Sequence, residues 1–259
     1  MAKQDCRSCG GTGWTVSDAD GVSSAHRCIC VAETQGKELE LRSEIPENYR
    51  SASFDNFYLP HDNPTASRQL QNAMLPIKGY ANNFPNLKDR LGLLLIGPQG
   101  VGKTHLAVAA LRELISRGHQ GIFFDYQNLL ERIRSGYNEK IGTSNRETYQ
   151  TALEAEVLLL DDLGAHRVTD WVEDTVTSII TYRCNGRKPL IATTNFPDPD
   201  MGGIAVQKTG PGSAAKYTVH DTLEERIGAR ARSRLFEMCT VVQMWGLADY
   251  RQRPRRKAF

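Results

Sequence analysis

No apolar run in this 259-residue chain approaches the roughly 20 residues that a membrane-crossing helix requires. The opening Met1-Ala2-Lys3-Gln4-Asp5-Cys6 has no apolar stretch of the kind a secretory signal carries. A cytoplasmic, reducing location without membrane contact is the expectation. Cysteine is scarce, six residues in all, and in that compartment these should be thiols or metal ligands rather than disulfides. An excess of one charge is also lacking: 32 Lys and Arg face 30 Asp and Glu, a net +2. No internal repeat is visible. At 40% hydrophobic and 24% charged, the composition is that of an ordinary globular protein with one sizeable core.

The balanced charge hides an uneven distribution. Between Arg226 and Lys257 lie Arg226, Arg230, Arg232, Arg234, Arg251, Arg253, Arg255, Arg256 and Lys257, against only Glu237 and Asp249. Such a block is either a solvated tail or a surface for polyanions. The first 31 residues differ in another way, holding four of the six cysteines, the glycines 10, 11 and 13, and little apolar material. A polar stretch from Ala32 to Arg42 suits a short exposed helix or linker, ended by Pro46. This divides the chain into an N-terminal segment and linker, 1–45, and a main domain, 46–259.

From Pro46 onward, helical and strand patterns alternate. Leu70, Ala73, Met74 and Ile77 make a helical stripe, and Leu106, Ala109, Ala110 and Leu114 another. Further helices are expected at Asn128–Arg134, Trp171–Cys184 and Leu223–Met238. Short apolar runs at Leu91–Ile96, Gly121–Tyr126, Val157–Leu160, Leu190–Thr194 and Val241–Trp245 predict five buried strands. Alternation of this kind calls for an α/β fold, a parallel five-stranded sheet flanked by helices. Ile204–Tyr217, with two glycines and one proline, reads as a surface insertion.

The strongest chemical signal is Gly97-Pro98-Gln99-Gly100-Val101-Gly102-Lys103-Thr104, with His105 following. Its glycines let backbone N–H groups turn toward phosphate oxygens, and the helix that opens there adds a positive dipole end. Lys103 would reach the β- and γ-phosphates of ATP, and the Thr104 hydroxyl would coordinate Mg2+. Val157 to Leu160 lead into Asp161-Asp162, which would hold Mg2+ and polarise an attacking water respectively. Taken alone, Asp-Asp-Leu-Gly is also good turn chemistry. Aspartate at position 162 is shorter than the glutamate common in such ATPases, which raises the question of turnover. Thr193-Thr194-Asn195 closes the next strand, and the Asn195 amide could hold a water against the γ-phosphate.

These motifs, with Leu223-Glu224-Glu225-Arg226-Ile227, Ser233-Arg234-Leu235 and Asp249-Tyr250-Arg251, resemble the AAA+ helicase loaders of the DnaC/DnaI type and their relative IstB. The resemblance covers about residues 45 to 251. It implies a P-loop AAA+ core, here without a helical lid domain, that self-associates side by side. In such an assembly Arg234 would reach the neighbour's γ-phosphate, with Arg230 as second candidate, and Arg251 would sense the nucleotide. Arg226, Arg230 and Arg232 could equally form a solvated helix face. Ile45-Pro46 and Phe54-Asp55-Asn56-Phe57 resemble the stretch that lines the family's adenine pocket. The implied partners are the replicative helicase hexamer and single-stranded DNA. IstB implies the rival reading of a transposase helper. A nucleotide-gated DNA-binding protein with negligible turnover and a P-loop small-molecule kinase complete the alternatives.

Two close pairs, Cys6/Cys9 and Cys28/Cys30, can supply four thiolates to a structural Zn2+, with His26 near enough to replace one. Cys184 and Cys239 sit in helical apolar patterns and read as core residues. Phe123, Phe124 and Tyr126, then Arg132, Arg134, Tyr137 and Lys140, are either core and surface or one side of a DNA groove.

Overall fold

In the computed structural model, residues 4–19, 22–135, 144–198, 200, 222–245 and 249–250 are described. Arg251, Tyr137, Lys140 and the expected insertion at 204–217 lie outside them. The chain begins with a hairpin, β1 (Trp14–Ala19) and β2 (Val22–Arg27), paired antiparallel from Trp14↔Arg27 to Ala19↔Val22. Then come α1 (Ile29–Arg42), a 3₁₀ turn at Glu47–Tyr49, and α2 (Pro64–Asn83), which starts with Asn63 as its cap and Pro64 in its first turn. The main body follows as β3 (Gly92–Ile96), α3 (Lys103–Ser116), β4 (Gly121–Asp125), α4 (Tyr126–Ser135), α5 (Ser144–Glu154), β5 (Val157–Asp161), α6 (Asp170–Asn185) and β6 (Leu190–Thr194). It closes with α7 (Leu223–Ile227), α8 (Ala229–Met238) and β7 (Cys239–Gln243).

The five main strands form a parallel sheet in the order β4-β5-β6-β3-β7. All residues of β3, β5 and β6 are buried, which is why they read as unbroken apolar runs. Alternate side chains feed two cores. Leu93, Leu95, Leu159 and Ile191 meet α2 and α3, whereas Leu94, Leu158, Leu160 and Ala192 meet α4, α6, α7 and α8. β3 is paired on both sides, by β6 and by the edge strand β7, so the loop leaving it emerges between those two strands.

Four sequence expectations change. The helix expected over Leu223–Met238 is two helices, because Gly228 takes φ +83° and ψ 150° between them. Cys239 belongs to β7 rather than to a helix, and that strand starts two residues before the predicted Val241. The polar helix ends at Arg42, four residues ahead of Pro46, and it is not free-standing. Glu40 pairs with Arg112 of α3 at 2.6 Å, and the Phe123 N–H donates to the Ser43 carbonyl at 2.7 Å. Finally, β1, β2 and α5 were not foreseen.

Candidate functional site

The phosphate-loop sequence folds as its glycines require. Gly100 and Gly102 take φ of +73° and +95°, and Gly102 hands the chain into α3. A Cβ on Gly102 would stand 2.5 Å from the Phe57 ring, and one on Gly97 would stand 2.6 Å from the Met244 carbonyl. The N-terminus of a 14-residue helix thus points into a cleft of about 470 Å³. Gln99 to His105 line that cleft, together with Asp161, Asp162, Thr193, Asn195, Tyr58 and Tyr250, whereas Gly97 and Pro98 are not part of its wall.

Inside it the expected polar residues form one connected chain. The Lys103 ammonium is buried and donates to the Pro98 carbonyl and to Asn195 Oδ1, both at 2.7 Å. The Asn195 amide in turn donates to Asp162 Oδ1. Thr104 donates its hydroxyl to Asp161 at 2.9 Å, and Thr193 donates to the same carboxylate at 2.6 Å. Thr193 also accepts the Asp162 N–H at 2.9 Å, which fixes the left-handed turn (φ +59°) that Asp162 occupies. Burial pushes the Asp161 carboxyl above the usual range, the two hydroxyls oppose this, and the charges of Asp162 and Asp125 add to it. A divalent cation seated there would supply the missing counter-charge, and hydroxyl plus carboxylate is a suitable hard-oxygen donor pair.

Other expected residues stand elsewhere. His105 borders the cleft, but its ring nitrogen lies 2.9 Å from the Ser53 carbonyl and its face against Phe57. Arg234 is exposed on α8, paired with Glu237 at 2.7 Å, and does not reach this cleft from within the same chain. Arg230 is exposed one turn earlier. Arg226 and Arg232 are not a solvated face. Arg226 lies 4.6 Å over the Phe196 ring, and Arg232 grips the buried Asp198 by two bonds of 2.5 and 2.7 Å. Phe123, Phe124 and Tyr126 are core, and Arg132 pairs with Glu44 at 2.6 Å. Sequence reasoning missed Thr193 as the hinge between the two aspartates. Its only signal was a hydroxyl two residues before Asn195.

A second cluster lies before the main sheet. The sulfurs of Cys6, Cys9, Cys28 and Cys30 are all within 4.8 Å of one another, with Cys6–Cys28 at 3.7 Å and Cys9–Cys30 at 3.5 Å. Four sulfurs at about 2.3 Å from one metal stand roughly 3.8 Å apart in a tetrahedron, so the donor set fits Zn2+. Gly13 donates its N–H to Cys9 Sγ at 3.3 Å, made possible by positive φ at Gly10, Gly11 and Gly13. Backbone donors at Ser8 and Cys9 pull the Cys6 thiol down to about 6, favouring the thiolate that a metal binds. His26 is exposed and bonded to Ser24 instead.

Comparison with known proteins places this geometry. Residues 83–200 match the IstB-like ATP binding protein family. The solved structure titled as the DnaC helicase loader is 31% identical, with a TM-score of 0.58 over 76% of this chain and 99% of that one. The chain belongs to the DnaC/DnaI family of AAA+ helicase loaders. Among curated relatives of this loader-family chain, the phage-like element PBSX protein XkdC of Bacillus subtilis is 28% identical over 203 residues, 75% of this chain and 73% of its own. The replicative helicase loader DnaC of Buchnera aphidicola is 24% identical over 165 residues, covering 64% of this chain and 63% of its own. The five-stranded parallel sheet is accordingly that of the AAA+ P-loop fold, and the family is ATP-binding. Among the described residues, no helix is long and apolar enough to cross a membrane.

Proposed function

We propose that this protein loads the hexameric replicative helicase onto single-stranded DNA, using an ATPase cycle in a self-assembled AAA+ core. One observation carries the reading: a single bonded chain links Lys103, Asn195 and Asp162, and a second links Thr104, Asp161 and Thr193, all in one cleft at a helix N-terminus. Phosphate oxygens would replace Pro98 and Asn195 as partners of Lys103. Thr104 and Asp161 would hold Mg2+, which would supply charge neutralisation at the β- and γ-phosphates. Asp162 and Asn195 would then share the attacking water, Asp162 polarising it and Asn195 positioning it. Arg234, exposed on α8, suits a role in the neighbouring subunit's site, since it stands apart from its own. Arg251 remains the candidate nucleotide sensor.

Residues 1–45, with zinc held by Cys6, Cys9, Cys28 and Cys30, would grip the helicase, and residues 46–259 would bind ATP and single-stranded DNA. The match to IstB-like proteins supports a second reading, a transposase helper that favours duplex DNA. The test uses the full chain. Arg234→Ala should bind ATP normally but lose about 100-fold in hydrolysis, and mixing it with Asp162→Asn subunits should restore part of the rate. Co-purification with the host helicase and preference for single strands in ATP are expected. Duplex preference with no helicase retained would move the assignment to the helper reading.

A further inference from the structure

Three consecutive residues after Asn195 each hold the helical pair α7–α8. Phe196 lies under the Arg226 guanidinium at 4.6 Å, the Pro197 carbonyl accepts the Leu223 N–H at 3.0 Å, and Asp198 accepts both bonds of the Arg232 fork, at 2.5 and 2.7 Å. The first two ties reach α7. Gly228 then interrupts the helix, so α8 does not inherit its direction from α7 and needs an anchor of its own. Burial of Ala231, Leu235 and Met238 holds α8 to the core, but apolar contact is non-directional and does not fix where the helix sits along its axis. The Arg232 fork does, because a bidentate pair sets orientation as well as distance. Its anchor is firm, since Asp198 is buried, and Arg232 also reaches Asp200 at 2.6 Å and lies 4.9 Å over the Phe236 ring. Arg234 stands two residues further on, about 200° round the helix axis, and is exposed. One side of α8 is thus gripped at the end of β6 while the other presents Arg234 outward. The gripping segment starts at Asn195, which accepts from Lys103 at 2.7 Å, so the outward arginine is referenced to the chain's own phosphate loop.

We propose that Arg232 is a positioning residue for Arg234: by gripping Asp198 it sets the place from which Arg234 enters the neighbouring subunit's site. This rests on the reading of Arg234 as an arginine that acts across a subunit boundary. A group delivered on a long side chain from another subunit stabilises the reaction only when its helix is held, because a shift of its Cα is a shift of the whole approach. Arg232 itself touches no phosphate and works entirely through α8.

The experiment mixes two full-length variants and reads the ATP hydrolysis that returns. Asp162→Asn donates its arginine but has no working site, and Arg234→Ala has a working site but no arginine to donate. Arg232→Gln is then added to one or the other. In the donor it should lower the recovered rate at least about ten-fold, since misplacing a reacting group by an ångström can cost about 100-fold. In the acceptor it should leave that rate unchanged, and in both it should leave affinity for a fluorescent ATP analogue as it was. Arg232→Lys, which keeps the charge but not the fork, is the milder variant should the other not fold, and should give a smaller fall, again in the donor alone. An equal fall in both placements would mark Arg232 as structural or as acting within its own site, and no fall in either would show that α8 is held without it. Each result overturns the proposal. No recovery in the parent mixture would instead overturn the reading of Arg234 as acting in the neighbour's site, and the proposal with it.

Discussion

Among the described residues, Arg183 is the largest side chain sealed completely from solvent, and no carboxylate is paired with it. Its guanidinium donates to the carbonyls of Ala152, Leu153, Glu156 and Pro189, at 3.0, 3.1, 3.4 and 2.5 Å. Burial pulls its pKa down to about 10, so the group stays charged at neutral pH. It acts as a clamp on the end of α5 and the entries to β5 and β6. Arg183→Met should strip the guanidinium donors from those carbonyls, with Pro189 keeping the Leu158 N–H at 3.2 Å, and cost about 3 kcal/mol, read as a lowered urea midpoint. A loss below about 1 kcal/mol would mean that water takes over the carbonyls. Nothing in the sequence distinguished Arg183 from a surface arginine at the end of an amphipathic helix. The meeting of Lys103, Thr104 and Asp161 in one cleft, by contrast, was legible because it follows from fixed spacing within one loop and one strand end.

At the scale of elements, the Arg232–Asp198 contact ties α8 to the segment that follows Asn195. Asp198 is 1% exposed, and both of its oxygens accept from the fork of Arg232. The Leu223 N–H also donates to the Pro197 carbonyl at 3.0 Å, a second tie between that segment and α7. A double-mutant cycle of Arg232→Ala and Asp198→Ala should give a coupling of about 2 kcal/mol in unfolding free energy. A value near zero would show that each residue is replaced by solvent. Elements buried on both faces were readable from sequence, since β3, β5 and β6 are simple apolar runs. The hairpin was not. Its strands, Trp-Thr-Val-Ser-Asp-Ala and Val-Ser-Ser-Ala-His-Arg, have too few apolar residues to show a period of two. What fixes them is the cysteine cluster at their base. α5 was missed for a related reason, its sequence Ser-Asn-Arg-Glu-Thr-Tyr-Gln-Thr-Ala-Leu-Glu being largely polar. The break at Gly228 was hidden because the apolar stripe of α7 and α8 continues across it, through Leu223, Ile227, Ala231 and Leu235.

For the molecule as a whole, the question is how the cysteine-bearing end relates to the sheet. Purified protein should contain about one zinc per chain, lost in a Cys6→Ala, Cys9→Ala double variant that still binds ATP. Full zinc in that variant would sink the four-thiolate assignment. Equal loss of ATP binding would show that the nucleotide site depends on the cluster. The ends of α1 make the first outcome the expected one, since its last turn is fixed to the core independently of the metal. Glu40 meets Arg112, which also donates to the Ala52 carbonyl at 2.6 Å, and a Cβ on Gly36 would stand 3.6 Å from the Ile115 carbonyl. Both anchors lie on α3, the helix that begins with Lys103. Mechanically, α1 is a handle of roughly 20 Å, at about 1.5 Å per residue over its 14 residues. A pull on the cysteine knuckle is therefore delivered to α3, the helix that opens with Lys103, not dissipated along a slack tether. Tension from whatever the N-terminal end holds would load α3 directly, and strain at α3 would be felt as a displacement at the far end of the handle.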